Sequence, residues 1–202
     1  PFIEGNFLRR QSVASAVDNL KAYAAAGYKR FFFVDNTFNL PPSYAEALCD
    51  AIIEAELDIA WQAIIYPIQI NPQLAEKMSR AGCVGAALGF ESGSLEVLGA
   101  MNKRFSLEDV RQASKELGDQ GISRMGFLLL GGPGETRETV LQSIEFADSL
   151  ELESMKVTAG IRIYPHTALA EQAVAKGLVE KNQDLLHPTF YLEPDLEGWL
   201  QD

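Results

Sequence analysis

The sequence predicts an α/β protein whose parallel strands form part of an open, TIM-like (β/α)6 barrel. Three observations support this fold class. Short apolar runs, typical of strands buried on both faces, alternate with amphipathic helical patterns along the chain. The strands start roughly 25 to 40 residues apart, as βα units with right-handed crossovers require. Five such strands are too few to close an eight-stranded barrel, so the barrel is expected to be open or truncated.

Local signals predict each element in turn. Ser12 is expected to cap the first helix, and Ser106 to cap a later helix with Asp109 in its first turn. Gly27 and Gly82 end helical patterns. The predicted strands are 31–34, 59–66, 83–90, 122–130 and 155–163. The predicted helices follow Ser12, Pro41 and Asn71, then come a short helix after Ser94 and helices over 106–117, 135–149 and 167–175.

The stretch from Gly126 to Thr136 is the one around which the rest of the chain is organised. Its apolar run, 127–130, predicts a buried strand, and Gly131-Gly132-Pro133-Gly134 predicts a tight turn. Glu135 is expected to open the next helix, whose positive end suits an acidic residue. Such a turn lies where parallel sheets bind ligands, so its bare backbone N–H groups are a candidate site. The plainer interpretation is a strand–helix turn that binds nothing.

The periodic pattern stops after Gly177, which predicts a barrel core over 1–177 and a C-terminal extension over 178–202. Pro188 and Pro194 argue against one continuous helix in this apolar extension. We expect residues 185–193 to pack on the barrel in extended form, or the extension to lead into a further domain. The alternative is a mobile end. Asp195 is a candidate N-cap for a short helix over 196–200.

Composition and charge exclude several classes of function. Apolar residues make up 47% of the chain, as in globular proteins, and the net charge of −11 argues against nucleic acid as the main partner. The two cysteines, Cys49 and Cys83, have no metal-binding spacing and fit buried thiols in a reducing cytosol. No apolar run is long enough for a membrane span and no secretory signal is visible, so a cytoplasmic protein without a membrane partner is predicted. Because the chain starts at Pro1 without Met, we expect a processed or excised piece.

Polar residues follow every predicted strand at its carboxyl end. They are Asp35-Asn36-Thr37, residues 62–66, Glu91-Ser92-Gly93-Ser94, the glycine turn 131–134 and residues 162–167. Because these ends meet at one rim, carboxylates, hydroxyls and bare backbone would converge there on a ligand with an amino group and a ribose. The alternative for each residue is a local cap: Asp35 for the next turn, Glu91 and Ser92 for the short helix after them.

Other reactive residues give weaker signals. His166 and His187 have no partner at metal-ligand spacing, so no metal ligand is predicted in this chain. Ser92 does not lie in a nucleophile-elbow motif, and no catalytic residue is assigned.

At the rim residues the sequence resembles the radical S-adenosylmethionine (SAM) superfamily. It is most similar to the branch whose members often carry a cobalamin-binding domain ahead of the barrel. The resemblance covers roughly residues 8–180 and depends on motifs in matching order and spacing. The motifs are 33–39, 88–94 followed by Met101-Asn102-Lys103, 130–136 after Gly121-Ile122, and 163–169.

The resemblance implies a rim that binds SAM beside a [4Fe–4S] cluster. One-electron reduction, with an electron from a donor such as flavodoxin or ferredoxin, would cleave SAM to methionine and a 5′-deoxyadenosyl radical that takes hydrogen from a small-molecule or other substrate. Cobalamin would lie in a separate domain. By position, Asp35, Asn36 and Thr37 would face the methionine amino end, and Glu91 and Ser92 the ribose or the methionine end. The backbone of Gly131, Gly132, Pro133 and Gly134 would border the adenine.

Three departures from the family pattern bear on this assignment. The Cys-x3-Cys-x2-Cys cluster loop is absent, so the cluster ligands are expected outside this chain, and the chain alone is expected to be inactive. Residues 63–65 are Ala-Ile-Ile where the branch often has a basic residue, so Arg124 and Arg162 are the candidate replacements. His166 stands where glycine is usual. The substrate and the reaction outcome are left unassigned.

Two competing hypotheses stay open at this point. One is an ordinary βα-barrel enzyme that binds a phosphate-bearing metabolite at the helix beginning with Glu135, although a carboxylate there repels phosphate. The other is a noncatalytic barrel scaffold that binds a protein partner through its rim.

Overall fold

Five parallel strands form one sheet in the computed structural model, which describes residues 11–35, 37–181 and 183–201. The strands are β1 (Arg30–Phe33), β2 (Ala60–Ile65), β3 (Cys83–Glu91), β4 (Ser123–Leu130) and β5 (Ser154–Ala159). They lie side by side in chain order, and every neighbouring pair is parallel. The predicted open partial barrel is therefore confirmed, and the described strands do not close on themselves.

Helices connect the strands in the predicted alternation. They are α1 (Val13–Ala25), α2 (Pro42–Glu54), α3 (Pro72–Arg80), α4 (Leu95–Ala100), α5 (Leu107–Asp119), α6 (Arg137–Ser149), α7 (Ala168–Ala175) and α8 (Glu197–Gln201). Ser12 caps α1 as predicted, and Ser106 and Asp109 form a reciprocal capping box at α5. Both predicted caps are confirmed. They can be predicted from sequence because each depends on residues three positions apart.

The core lies between the helices and one face of the sheet. On that face Trp61 is fully buried and its indole Nε1 donates to the carbonyl of Ala81 at 2.7 Å. Phe33 and Phe38 pack against the Trp61 ring, with ring centroids 5.1 and 4.9 Å away. Strand neighbours point to the other face, where Phe32 is 53% exposed. The sheet is thus packed by helices on one face, and Phe32 marks an exposed part of the other face.

The fifth strand is shorter than predicted. β5 ends at Ala159, Gly160 adopts φ +83°, and the chain then forms β6 (Ile161–Arg162). β6 pairs antiparallel with β7 (Phe190–Tyr191), which comes from the C-terminal extension. The predicted strand 155–163 is wrong beyond residue 159, because the positive φ redirects the chain toward a partner distant in sequence.

The end of the extension folds onto the main core. A 3₁₀ helix, Pro194–Leu196, leads directly into α8, and Leu196 is 1% exposed within the core cluster. Asp195 lies inside the 3₁₀ helix, whose N-cap is Glu193, so the predicted N-cap role of Asp195 is wrong. Within the described ranges, no helix combines the length and apolar character that crossing a bilayer needs.

Candidate functional site

The turn after β1 divides into an exposed part and a structural part. Asp35 is exposed and Thr37 is half-buried at the carboxyl edge of the sheet, whereas Asn36 lies outside the described residues. Asn39 is fully buried, and its amide Nδ2 donates to the carbonyls of Tyr66 and Ile68, both at 2.8 Å. The end of this motif therefore holds the β1 turn against the end of β2, which leaves Asp35 and Thr37 as its candidate ligand residues.

Glu91 ends β3 at the same edge, in a strained conformation. Its φ is +67°, an uncommon value for a residue with a side chain, and the β3–β4 register is irregular between Leu88 and Glu91. The carboxylate accepts a hydrogen bond from the Nζ of Lys103 at 2.6 Å, and the two side chains are 29% and 21% exposed. An ion pair therefore lies at the rim, partly shielded from water.

Lys103 belongs to a segment that is attached to the end of β2. The backbone N–H of Arg104 donates to the hydroxyl of Tyr66 at 3.3 Å, and the Tyr66 and Phe105 rings pack edge to face, 5.3 Å apart. Lys103 was part of a matching motif but was not predicted as a site residue. The sequence feature that could have indicated Lys103 is its position twelve residues after Glu91, just beyond the short helix α4.

Ser92, unlike Glu91, points into the protein. It is fully buried, and its hydroxyl lies 2.9 Å from the hydroxyl of Ser143 on α6. The N–H of Gly93 also donates to Ser143, at 3.0 Å. A Cβ on Gly93 would lie 2.5 Å from the Cβ of Phe146, which is too close. The Ser-Gly part of the motif therefore packs α6 against the rim, and this placement does not support the predicted ligand contact of Ser92.

The amide groups of the glycine turn are already occupied. The buried Glu135 carboxylate accepts from the N–H groups of Gly131 and Gly132, at 2.5 and 3.0 Å. The N–H of Gly134 donates to Glu193 at 2.9 Å, and Pro133 has no N–H. The expectation of bare amides is wrong, because two carboxylates fill the place of an anion. The same contacts oppose the phosphate hypothesis.

Glu135 belongs to the turn and not to the helix. Helix α6 begins at Arg137 with Thr136 as its N-cap, two residues later than predicted. Burial raises the pKa of Glu135 above its usual value, against the lowering effect of its two backbone hydrogen bonds. Its second oxygen, Oε1, is buried without a hydrogen-bond partner in the described structure.

The two candidate arginines lie in different places. Arg124 sits at the amino end of β4, where it hydrogen-bonds to Glu153, Ser114 and the carbonyl of Glu151. Because this end of the sheet is opposite the rim, the expectation that Arg124 supplies a positive charge to a ligand at the rim is wrong. Arg162 follows β5 on the rim side, with its guanidinium 4.9 Å from the centroid of the Tyr164 ring.

The described residues do not fit an iron–sulfur cluster. They contain no group of three or more Cys, His, Asp or Glu side chains that could hold a metal ion. Cys49 and Cys83 are both buried, and burial raises the pKa of each thiol to about 12. Two cysteines are also fewer than the three thiolates of the cluster loop described above. The prediction that both cysteines are buried is confirmed.

Comparisons with known proteins agree with the fold and the rim motifs. The family model of the radical SAM superfamily matches residues 4–147. An uncharacterized methyltransferase of Pyrococcus horikoshii is 31% identical over 176 residues, which cover 87% of this chain and 38% of that protein. Tryptophan 2-C-methyltransferase of Streptomyces laurentii is 23% identical over 185 residues, 85% of this chain and 31% of that protein.

A solved structure shows the same architecture. The radical SAM methyltransferase TsrM from Kitasatospora setae, with cobalamin and a [4Fe–4S] cluster bound, superposes with a TM-score of 0.76 at 24% identity. The match covers 82% of this chain and 32% of TsrM. The chain thus spans about a third of the length of the curated relatives named above.

Proposed function

This chain belongs to the radical SAM superfamily, and from that premise we propose that its rim binds SAM in a methyl-transfer enzyme. The observation that carries the proposal is the Glu91–Lys103 ion pair at the carboxyl end of β3. Support for methyl transfer comes from the names of the two curated relatives, both methyltransferases. A small organic molecule is the proposed methyl acceptor, and a flavodoxin or ferredoxin the proposed electron donor.

The Glu91–Lys103 pair matches the charges of the methionine end of SAM. That end carries an α-ammonium and an α-carboxylate, and a carboxylate beside an ammonium offers each of them an opposite charge. Lys103 is the residue proposed to contact the α-carboxylate of SAM. It would take the place of the basic residue that this branch of the family often has in β2. Glu91, with Asp35 and Thr37 from the end of β1, is proposed to meet the amine or the ribose hydroxyls. Charge-assisted hydrogen bonds of this kind are the strong ones.

The glycine turn is proposed to contact the adenosine of SAM without donating hydrogen bonds from its backbone amides. Because its amides are engaged by Glu135 and Glu193, a nucleoside beside the turn would contact its Cα atoms and its apolar surroundings. Among the three glycines of the turn, Gly134 has open space where a Cβ would lie, so a flat ring could approach the backbone closely there. At Gly131 and Gly132 the corresponding space is filled by neighbouring apolar side chains. SAM and the cluster supply the radical and the methyl group when they are bound, and the described residues supply binding and orientation.

The test measures SAM binding to the full-length protein, reconstituted anaerobically with iron and sulfide. We expect Lys103→Met and Glu91→Gln each to weaken SAM binding about tenfold, as loss of a charged hydrogen bond does. Lys115→Met is the matched control, because the Lys115–Asp119 pair is exposed on α5. Methyl-labelled SAM then reports whether label leaves SAM. Equal SAM affinity in all three variants, or no SAM binding at all, would overturn the proposal.

A further inference from the structure

Glu193, in the C-terminal extension, contacts the glycine turn through both its side chain and its backbone. Its Oε2 accepts from the N–H of Gly134 and from the hydroxyl of Tyr191, both at 2.9 Å. Its Oε1 accepts from the Nζ of Lys176, the C-cap residue of α7, at 2.6 Å. Its backbone N–H donates to the carbonyl of Gly131 at 2.9 Å. The side chain is 11% exposed.

The neighbouring Leu192 presses the turn from the same side. A Cβ on Gly131 would lie 2.1 Å from the Cδ1 of Leu192, and Gly131 has a φ of +81°. The turn is therefore held between two carboxylates: Glu135 from within the turn, and Glu193 from a segment 59 residues away from Gly134.

Three hydrogen bonds hold the carboxylate of Glu193 and favour its charged form. Burial alone would raise the pKa of Glu193, but hydrogen bonds from Lys176, Gly134 and Tyr191 outweigh burial and lower it. The hydrogen bond from Lys176 is charge-assisted and partly shielded, so its loss would leave a buried charge without its cation.

We propose that Glu193 is a positioning residue for the adenosine half of SAM, because it holds the glycine turn at the rim in one conformation. The inference depends on the proposed function, and it extends the SAM site to a residue outside the matched family segment 4–147. Glu193 itself has all its described contacts within the protein, so it acts through Gly134 and Gly131 and not on the ligand.

The experiment compares two ligands in the full-length, reconstituted protein: SAM, and methylthioadenosine, which lacks the methionine carboxylate and amine. We expect Glu193→Gln to weaken binding of both ligands about tenfold. Lys103→Met should weaken only SAM. Asp195→Asn is the matched control, since this exposed carboxylate two residues away has no contact with the turn among those described. Hydrogen exchange at residues 131–136 is measured in every variant and should be faster in Glu193→Gln.

The outcomes separate the two proposals. If the parent protein binds neither SAM nor methylthioadenosine, the proposed function is overturned. Hydrogen exchange at residues 131–136 still shows in that case whether Glu193 holds the turn. If the parent binds both ligands and Glu193→Gln binds them equally well, the positioning role is wrong and the proposed function stands. The same conclusion follows if Glu193→Gln affects SAM alone. Should Glu193→Gln fail to fold, Lys176→Met removes the cation but keeps the carboxylate on Gly134; unchanged ligand affinity and exchange in that variant would also count against the inference.

Discussion

Adjacent residues of one motif have separate tasks in this protein. Glu91 reaches the rim and pairs with Lys103, whereas the hydroxyl of Ser92 is buried against Ser143. The motif reads as one unit in sequence, but a single peptide bond separates its candidate binding residue from its packing residue. The strained φ of Glu91 accompanies this change of direction.

The first prediction separates these two tasks. Ser92→Ala should lower the free energy of unfolding by about 1–2 kcal/mol, because it leaves buried partners of the hydroxyl unsatisfied. It should leave SAM affinity unchanged in the full-length protein. Glu91→Gln should do the opposite, with little change in stability and weaker SAM binding. Urea unfolding and a SAM titration of both variants check this; weaker SAM binding by a stable Ser92→Ala protein would return Ser92 to the site.

At the scale of elements, long-range contacts join the parts of the sheet at both ends. Arg124 connects the amino end of β4 to α5, through Ser114, and to the loop before β5, through Glu153. At the carboxyl end, the extension pairs β7 with β6 and packs Leu196 into the main core. Neither connection follows from the local pattern of the segments involved.

The Arg124–Glu153 pair should make stability depend on pH. The hydrogen bond from Arg124 lowers the pKa of Glu153 to about 2, from 4.5. A depressed carboxyl pKa means that the contribution is present above pH 4.5 and is lost as the pH falls toward 2. Because the Glu153 side chain is 48% exposed, we expect Glu153→Gln to cost only about 1 kcal/mol at pH 7.

Urea unfolding between pH 7 and pH 3 measures this effect. The stability difference between the parent and Glu153→Gln should narrow as the pH falls. Glu145→Gln, on the exposed side of α6, should show no such trend. A difference that stays constant from pH 7 to pH 3 would contradict the assigned role of the ion pair.

A second prediction at this scale concerns the packing of the extension. Leu196→Ala should lower the free energy of unfolding by about 2–5 kcal/mol, as truncation of a buried leucine does. Leu186→Ala, at a position that is 78% exposed in the same extension, should change stability by less than about 0.5 kcal/mol. Equal effects of the two variants would mean that the end of the extension does not pack on the core in solution.

At the scale of the whole molecule, the chain combines an open parallel sheet with a C-terminal extension that packs on its core. The sheet is open, with β1 and β5 at its two edges, and the described residues contain no group that could hold a metal ion. The chain spans about a third of the length of the curated relatives named above. The division into a core over 1–177 and an extension over 178–202 remains a proposal, although the extension contacts the core through Leu196.

The 202-residue chain alone should therefore form no 5′-deoxyadenosine from SAM. The sequence has two cysteines, both buried as thiols, whereas the family's cluster loop supplies three thiolates. Anaerobic incubation with iron, sulfide, SAM and dithionite, followed by chromatography, checks this. A cooperative urea unfolding transition of the same sample serves as the folding control, and any 5′-deoxyadenosine above the enzyme-free background would refute the prediction.

The sequence by itself determined the order of the five parallel strands and their connecting helices, the caps of α1 and α5, and the family. These features depend on apolar periods and on partners three or four residues apart, such as Ser106 and Asp109, so a local pattern contains the needed information. The rim could also be predicted from sequence, because consecutive strands of a parallel sheet place their carboxyl ends along one edge.

Only the tertiary structure decided which rim residues are available to a ligand. The hydroxyl of Ser92 is engaged by Ser143, 51 residues away along the chain. The amide of Gly134 is engaged by Glu193, 59 residues away. Arg124 lies at the end of the sheet opposite the rim, and Lys103 pairs with Glu91 at the rim. A side chain's partners depend on which surfaces folding brings together, and a motif read along the chain does not specify them.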